Sequence, residues 1–397
     1  MPKILIYDSI ADGHHLDYIF YIIQQVSIRK DSELIVVCQD KIESTLKDFQ
    51  FDLPSNVQLE FITNEKIANF HKKSLYARSI SEWNETINLA QKHQVDQILF
   101  PFFDYFQFGA LFGKKTNIPL AGILFKPKVK GNLINTLKFW MLKWVVNKPN
   151  FKNLFVLAEF RVQALQKTIS LHKIKYLPDP IYVVPSSNEF KEALRKNLDL
   201  PKNKTIFLNF GHLDDRKGIL EFLEGVSMLS EEQRKEIHLI LAGKIEPNFQ
   251  NKVEEYLKKL PNLTSSLLFE RHSPETMQAL FELTDWTLAL YPKFMGSASM
   301  VIRSAFAGKP VLGSNLGAIS HQISQNKLGV SADPENPAEI ARALEKILHK
   351  EILFDPKGLS EFAQKHGVEN FGKIIFENLR IGESENRRIG EYGNRRI

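Results

Sequence analysis

Short apolar runs alternate with longer amphipathic stretches along nearly the whole chain, and this alternation constrains the fold more than any other feature. Runs of four or five apolar residues are typical of strands buried in a parallel sheet, and the stretches between them have the length of helices. In the first part of the sequence the pattern predicts strands at residues 4–7, 34–38, 59–62, 97–100, 121–125 and 154–157. Helices are predicted between several of them, notably at 16–27 and 67–91.

A proline-containing interruption divides this pattern in two. Pro178 and Pro180 flank Asp179 and disfavour both helix and strand, which predicts a hinge at residues 178–185. Beyond it, strands are predicted at 205–209, 238–242, 266–269, 286–290 and 310–313, and helices at 218–229, 252–260, 274–283, 299–307 and 337–348. We therefore expect an α/β protein with two Rossmann-like, doubly wound domains, residues 1–177 and 186–380, facing a central cleft that binds ligands.

The composition is that of a soluble globular protein, with 43% hydrophobic and 25% charged residues. The first residues predict a strand rather than a secretory leader, and no apolar run reaches the roughly 18 residues of a spanning helix. The single cysteine, Cys38, lies in an apolar run, which indicates a buried structural thiol and a reducing compartment. These features predict a cytoplasmic protein. Residues 381–397 contain a polar, glycine-containing repeat, which predicts a disordered tail without a catalytic role.

The positive charge is concentrated in one segment. No acidic residue lies between Asp104 and Glu159, a stretch that contains nine lysines. Such a segment favours an anionic partner: a phosphorylated lipid, a membrane surface or a nucleic acid. Because the segment has no recognisable nucleic-acid-binding motif, we expect no nucleic acid as partner. An anionic membrane surface is the candidate partner of residues 114–152.

A predicted helix at residues 132–147 lies within this basic segment, and its apolar residues cover most of its circumference. One stripe contains Leu133, Leu137, Trp140 and Trp144, and the other side contains Phe139, Leu142 and Val146. A helix of this kind either packs in the core or contacts lipid or another protein. Flanking lysines and two tryptophans suit a membrane interface, and docking there would favour a lipid-linked acceptor.

Two loops of the second domain have the composition of phosphate-binding turns. The first begins at Gly211-His212 and ends at Arg216-Lys217-Gly218, where the two cations can clamp a diphosphate. A solvated cationic pair beside Asp214 and Asp215 is the alternative. The second loop contains Gly296, Ser297 and Ser299 before a predicted helix, so that a ligand can approach backbone N–H groups and the helix dipole. An ordinary βα turn is the alternative there.

Together, these segments resemble the C-terminal domain of family 4 glycosyltransferases, which have the GT-B fold. In that family a glycine turn that ends in Lys-Gly holds the donor diphosphate, which matches Gly211, Lys217 and Gly218. The family's Gly-Lys-Pro-Val matches residues 308–311, and the resemblance covers about residues 205–350. It is less specific in the N-terminal half, where mainly the pattern matches. The residues that it implies for donor binding are Gly211, His212, Arg216, Lys217, Gly243, Arg271, Gly296, Ser297, Ser299 and Arg303.

This sequence departs from the family at two positions that matter for the chemistry. The family usually has two glutamates separated by seven residues, the first contacting the donor sugar and the second the ribose. Here the two positions are Met295 and Arg303, so neither carboxylate role carries over. Arg303 either meets a phosphate or ribose hydroxyl or packs along its helix. His212 stands where the family often has an arginine, and Arg216 is the candidate substitute.

The resemblance implies a hexosyltransferase-like, retaining enzyme that moves a sugar from a nucleotide-diphosphate-sugar donor to a glycan or lipid-linked acceptor. It implies no metal, because helix dipoles and basic side chains neutralise the leaving diphosphate. No cofactor is expected beyond the nucleotide sugar, which is a co-substrate. The loss of both glutamates leaves an alternative: a non-catalytic nucleotide-sugar-binding or scaffold protein derived from such an enzyme.

In the first domain, the loop after the first strand contains Gly13, His14 and His15, and it resembles the loop that borders donor and acceptor in GT-B enzymes. Gly13 gives room for a sugar or phosphate, and His14 or His15 can donate a hydrogen bond or a proton, with His14 as the candidate catalytic residue and a helix cap or surface group as the alternative. Asp104 follows the fourth strand and is the second candidate catalytic residue, as a base or a ligand of acceptor hydroxyls. Helix capping is the alternative for Asp104.

Overall fold

A computed structural model of the protein describes residues 1–11, 14–126, 133–296, 298–351 and 353–379. The chain divides into two compact units: Met1–Pro180 together with the segment that begins at Val368, and Ile181–Gly367. Each unit contains a parallel sheet with connecting helices, so the predicted α/β class with two Rossmann-like folds is confirmed. Several sequence predictions lie outside the described residues: Gly13, Ser297, Lys128, Lys130 and the tail at 381–397.

The first unit is built on a seven-stranded sheet. Its strands are β1 (Lys3–Tyr7), β2 (Glu33–Cys38), β3 (Val57–Phe61), β4 (Gln97–Phe100), β5 (Leu120–Leu124), β6 (Phe151–Val156) and β7 (Ile174–Tyr176). Their spatial order is β3-β2-β1-β4-β5-β6-β7, and neighbouring strands are parallel. The helices between them are α1 (His15–Arg29), α2 (Ile42–Asp48), α3 (Asn64–His71), α4 (Leu75–Lys92), α5 (Gln107–Phe112), α6 (Leu133–Val146) and α7 (Glu159–Thr168).

The second unit repeats this design with six parallel strands. They are β8 (Thr205–Phe210), β9 (Ile237–Ala242), β10 (Thr264–Leu268), β11 (Trp286–Ala289), β12 (Val311–Ser314) and β13 (Gly329–Ala332), in the order β10-β9-β8-β11-β12-β13. Its helices are α8 (Asn188–Asn197), α9 (Ile219–Ser227), α10 (Glu231–Lys235), α11 (Pro247–Lys258), α12 (Pro274–Leu283), α13 (Ser299–Phe306), α14 (Gly317–Asn326), α15 (Pro337–Leu348) and α16 (Pro356–Lys365).

The last helix, α17 (Val368–Leu379), packs against α1 and β6 of the first unit. The ring of Phe371 on α17 meets Tyr18 of α1 edge-on, with the ring centroids 5.5 Å apart. The sequence prediction placed this segment in the domain of residues 186–380. Apolar periodicity identifies the buried face of a helix but not the sheet that the face covers, which is the physical reason for the difference.

The predicted helix at 67–91 is in fact two helices. The side chain of Ser74 accepts a hydrogen bond from the backbone N–H of Ala77 at 3.4 Å and caps α4, so that α3 and α4 are separate. Strands β7 and β13 were not predicted, because both are short and neither is a continuous apolar run.

The core of each unit contains buried residues from its strands and from the inward faces of its helices. Cys38 is buried as predicted, and burial raises the pKa of its thiol to about 12. On α6, the two predicted faces differ in burial: Phe139, Leu142 and Val146 are buried, whereas Leu137, Trp140 and Trp144 are 62%, 46% and 66% exposed. In the described ranges, no helix is both long enough and apolar enough to span a membrane.

Candidate functional site

The turn after β8 and the loop after β11 lie side by side at the carboxyl edge of the second sheet. From β8 the chain winds towards β9 and β10, whereas the strands from β11 onwards lie on its other side. Such a reversal opens a crevice at the carboxyl ends of the two central strands, which is where open parallel sheets bind ligands. The two segments with phosphate-binding composition therefore occupy the expected edge.

Two glycines let this turn pack directly on neighbouring backbone. Gly218 has a φ of +68°, and a Cβ atom there would lie 1.8 Å from the carbonyl oxygen of Leu290. Gly243 follows β9 with a φ of +125°, and a Cβ atom there would lie 1.9 Å from the carbonyl oxygen of Gly211. A side chain at either position would displace backbone, so both positions require glycine.

The ammonium group of Lys217 is held over the start of this turn. Its Nζ donates hydrogen bonds to the carbonyl oxygen of Phe210 and to the hydroxyl of Tyr291, each at 3.0 Å. The same Nζ lies 3.1 Å from the place that a Cβ atom of Gly211 would occupy. Both hydrogen-bond partners are neutral, and no carboxylate among the residues that the structure describes forms a salt bridge with Lys217, so its positive charge remains available to an anion.

Arg216 and His212 instead contact acidic residues. The Arg216 side chain is 78% exposed, and its Nε and Nη2 both donate to Oδ2 of Asp214. Burial alone would raise the pKa of Asp214, but the hydrogen bonds from Arg216 hold that pKa below its usual range. His212 is half-exposed, with its Nε2 3.5 Å from Oε1 of Glu246. Arg216 therefore fits the alternative interpretation, in which it is a solvated cation paired with Asp214.

The loop after β11 leads into α13, whose first turn is not capped by a side chain among the described residues. Ser299, half-buried, is the first residue of the helix. Gly296 lies against the ring of Phe294, which packs edge-on to Tyr291 with centroids 5.6 Å apart. Backbone N–H groups in a first helical turn carry partial positive charge, so this end of α13 favours an anion.

The two positions that depart from the family lie in the loop before α13 and in the last turn of that helix. The side chain of Met295 is 51% exposed, and its carbonyl oxygen accepts a hydrogen bond from Ala318 of α14 at 3.2 Å. Arg303 is half-buried in the last turn of α13. Arg271 is exposed after β10. Contacts among the described residues thus bring together Gly211, Lys217 and Gly243 of the predicted donor-binding set.

In the first unit, His15 rather than His14 has a defined geometry. Its Nδ1 lies 2.6 Å from Oδ2 of Asp8, and its ring stacks on Phe102 with centroids 4.0 Å apart. The His15 and Asp8 side chains are 11% and 3% exposed. The His14 side chain is 69% exposed and lies 3.4 Å from Asp17. Because the first sheet reverses between β1 and β4, Asp8 and Phe102 follow the two strands that border its crevice.

A buried charged network ties the loop after β1 to α4. Nε of Arg78 donates to Oε1 of Glu82 at 2.6 Å, and the hydroxyl of Tyr105 donates to the same oxygen at 3.2 Å. Ser9 donates its hydroxyl to Oε2 of Glu82, which is fully buried. Burial, together with the charge of Glu82, raises the pKa of Tyr105 above its usual range. This network was not predicted from the sequence, although the spacing of Arg78 and Glu82 by four residues on one helix was an available signal.

Asp104 uses both carboxylate oxygens to hold backbone. Oδ2 accepts a hydrogen bond from the N–H of Phe125 and Oδ1 from the N–H of Lys126, each at 2.8 Å. Burial raises the pKa of Asp104, and the backbone hydrogen bonds only partly oppose that rise. Asp104 therefore has a structural role, as the capping alternative supposed, but it holds the segment after β5 and not the start of a helix.

Comparison with known proteins identifies the second unit. Residues 190–366 match the family model described as Glycosyl transferases group 1. The second unit belongs to this family. The match contains both segments with phosphate-binding composition, from the Gly211 turn to α13. The resemblance to a divergent family 4-like enzyme is thereby confirmed at the level of the family.

The relatives of the glycosyl transferases group 1 domain include one curated enzyme. The lipopolysaccharide 1,2-N-acetylglucosaminetransferase of Salmonella typhimurium is 22% identical over 238 residues, which is 58% of this chain and 60% of that protein. The matched part is thus less than two thirds of the relative's length.

Solved structures match almost the whole chain. Anabaena HepE in complex with UDP and glucose has a TM-score of 0.66 at 15% identity, covering 96% of this chain and 99% of that one. A glycosyltransferase from Rickettsia africae has a TM-score of 0.69 at 15% identity, with the same coverage. WaaG, a glycosyltransferase involved in lipopolysaccharide biosynthesis, has a TM-score of 0.63 at 16% identity, covering 96% and 100%. These likenesses confirm the expected GT-B fold.

Proposed function

We propose that the protein is a glycosyltransferase that binds a nucleoside-diphosphate sugar on its second unit and transfers the sugar to a glycan or lipid-linked acceptor. The observation that carries this proposal is the uncompensated ammonium group of Lys217 over the Gly211 turn. A diphosphate needs fixed positive charge and accessible backbone N–H groups, and Lys217 and the first turn of α13 supply both at one sheet edge.

The comparisons support a nucleotide sugar as the donor. HepE was solved with UDP and glucose, and the Salmonella relative is named as an N-acetylglucosaminetransferase. UDP-glucose and UDP-N-acetylglucosamine are therefore the first donors to test on this chain. The exposed side chain of Met295 stands where the family carboxylate meets the sugar, so the sugar must be held by other groups.

The proposed chemistry breaks the bond between the anomeric carbon and the diphosphate oxygen and forms a bond from that carbon to an acceptor hydroxyl oxygen. The hydroxyl gives up its proton, and the nucleoside diphosphate leaves. Lys217 and the α13 terminus would stabilise the negative charge that develops on the diphosphate, without a metal and with retention of configuration. Asp8 and His15 are the candidate pair for proton transfer in the first unit, because the buried carboxylate orients the ring of His15. His14 and Asp104, the two catalytic candidates from the sequence, remain to be compared with this pair by substitution.

The proposal includes docking of the first unit on an anionic membrane surface through α6. Leu137, Trp140 and Trp144 form an exposed apolar stripe, and Nζ of Lys143 lies 5.2 Å from the centre of the Trp140 ring. Tryptophan and lysine on one helix face suit the interface between acyl chains and anionic headgroups. Such docking would bring the protein to a lipid-linked acceptor.

A donor panel assayed by both binding and turnover tests the proposed function. We expect at least one nucleoside-diphosphate sugar to bind saturably, and to be consumed when membrane extracts or purified glycolipids are added as acceptors. Binding of a donor with neither hydrolysis nor transfer, across all acceptors, would favour the non-catalytic nucleotide-sugar-binding protein instead. If no nucleotide or nucleotide sugar binds, both functions are wrong.

A further inference from the structure

An apolar pocket of about 320 Å³ lies within the first unit, apart from the His15 pair. Four segments form its wall: the start of α4, the turn between β4 and α5, the end of β5, and α6. Its volume is at the lower end of the range of about 300–1,000 Å³ that is usual for pockets that enclose small ligands. The apolar side chains of the wall are Leu75, Tyr76, Phe108, Leu124, Met141 and Leu142.

Three polar residues of the wall, Ser79, Asp104 and Tyr105, are already engaged within the protein, and the others are Gln107, Lys126 and Lys138. Asp104 accepts from two backbone N–H groups with both oxygens. The Ser79 hydroxyl donates to the carbonyl oxygen of Tyr105 at 2.8 Å and accepts from the N–H of Gly109 at 3.0 Å. The hydroxyl of Tyr105 donates to Glu82. A polar occupant would find few free partners here, so the wall favours an apolar one.

Apolar side chains are exposed to solvent at the mouth of the pocket. Leu75 and Tyr76 are 72% and 61% exposed, and the Tyr76 ring packs on Phe108 with centroids 4.8 Å apart. Exposed apolar groups beside an apolar pocket mark a surface that a ligand covers. The pocket is therefore open to an extended apolar group that enters from solvent.

Two lysines set the charge of the mouth. Lys126 and Lys138 line the pocket and are exposed, and neither forms a salt bridge with a residue that the structure describes. Asp104 also lines the pocket, with both carboxylate oxygens bonded to backbone N–H groups, and the sequence from 105 to 158 contains no acidic residue. Unpaired ammonium groups beside an apolar pocket match a molecule whose apolar chain ends in a phosphate.

We propose that this pocket binds the apolar chain of an anionic amphiphile, with its phosphate between Lys126 and Lys138. The inference rests on the proposed function, because such an amphiphile is the lipid part of a lipid-linked acceptor. It adds a binding site on the first unit that is separate from the donor site and from the exposed stripe of α6.

Dodecyl phosphate, held below its critical micelle concentration, is the probe, and calorimetric titration of the full chain measures its binding. We expect saturable 1:1 binding that the double substitution of Lys126→Ala with Lys138→Ala weakens about tenfold. Met141→Trp, which fills the pocket, should weaken it at least as much. The matched control, Lys115→Ala with Lys152→Ala, removes the same charge from the same segment outside the pocket and should leave the affinity unchanged.

Equal affinity in all these variants would overturn the proposal, because it would mean adsorption to the surface in general. So would equally tight binding of uncharged dodecyl maltoside. If Met141→Trp does not fold, the lysine variants decide, since both side chains are exposed. Nucleotide binding is measured on the same preparations. If the unchanged protein binds the amphiphile but no nucleotide, the proposed function is contradicted. If it binds a nucleotide but not the amphiphile, only the pocket proposal is contradicted.

Discussion

Nδ1 of His15 lies 2.6 Å from Oδ2 of Asp8, and both side chains are nearly excluded from solvent. A buried carboxylate in this position accepts a hydrogen bond from the ring and so fixes the tautomer and orientation of the imidazole. Stacking on Phe102 restrains the ring further. This is the arrangement that a proton-transfer group needs, and the neighbouring His14 does not have it.

We predict that Asp8→Asn lowers kcat for sugar transfer by about 10–100-fold, because the amide no longer fixes the tautomer and orientation of the ring. His15→Ala should lower kcat at least as much, whereas His14→Ala should leave it nearly unchanged. Steady-state kinetics with a fixed donor and acceptor measure the three variants. A large loss in His14→Ala with little loss in His15→Ala would show that the exposed histidine is the catalytic one.

The Arg78–Glu82 pair should be essential for the stability of the first unit. Glu82→Ala leaves the buried guanidinium of Arg78 without its carboxylate, so we expect the free energy of unfolding to fall by about 3–5 kcal/mol. The matched control on the same helix is Glu85→Ala, which breaks the more exposed pair with Lys66 and should cost about 1 kcal/mol or less. Urea unfolding measures both, and equal losses would contradict the assignment.

Replacement of Trp140 and Trp144 by alanine should release the protein from anionic vesicles. Both side chains are exposed on α6, so the change should leave the folded state intact. Sedimentation with vesicles of phosphatidylglycerol is the measurement, and binding of the unchanged protein should weaken as salt is raised. No binding of the unchanged protein at low salt would refute the docking proposal without affecting donor binding.

His238 should make the stability of the second unit depend on pH. The residue is 5% exposed on β9, and burial lowers its pKa to about 4, against about 6.5 in an unfolded chain. The unfolded chain therefore takes up a proton at a higher pH than the folded protein. Above about pH 6.5, His238 does not reduce the free energy of unfolding. As the pH decreases towards 4, it should reduce that free energy by about 3 kcal/mol.

Urea unfolding at pH 7.5 and pH 5 checks the effect of His238. His238→Gln should show a smaller loss of stability between the two pH values than the unchanged protein. His349→Gln, at an exposed position, is the control and should retain the full loss. The same loss in all three proteins would assign the pH dependence to other groups.

Much of the fold could be predicted from the sequence, because strands buried in a parallel sheet have continuous apolar sequences. The strands 97–100 and 205–209 and the helices 274–283 and 337–348 were placed within a residue or two. The partner of α17 could not be predicted, since its apolar face fits either sheet. The break at Ser74 was missed because both α3 and α4 continue the same helical period.

Less of the candidate site than of the fold could be predicted from the sequence. The spacing of Gly211, Lys217 and Gly218 predicted a turn, and close backbone contacts explain why glycine is needed there. Whether a cation faces a ligand or a neighbouring carboxylate depends on side-chain direction, which distinguishes Lys217 from Arg216. The contact between Asp8 and His15 depends on the path of the loop after β1, which composition does not specify.

The donor site on the second unit is tested most directly by comparing the affinity for nucleoside diphosphate and for the matching nucleoside. The nucleotide that binds most tightly in the donor panel is titrated into the unchanged protein, Lys217→Ala and Lys202→Ala. Lys202 is the control because it is exposed near the amino end of β8, at the opposite edge of the sheet. We predict that the diphosphate strengthens binding by about tenfold or more, and that Lys217→Ala loses this advantage while Lys202→Ala keeps it. An undiminished advantage of the diphosphate in Lys217→Ala would contradict the proposed site.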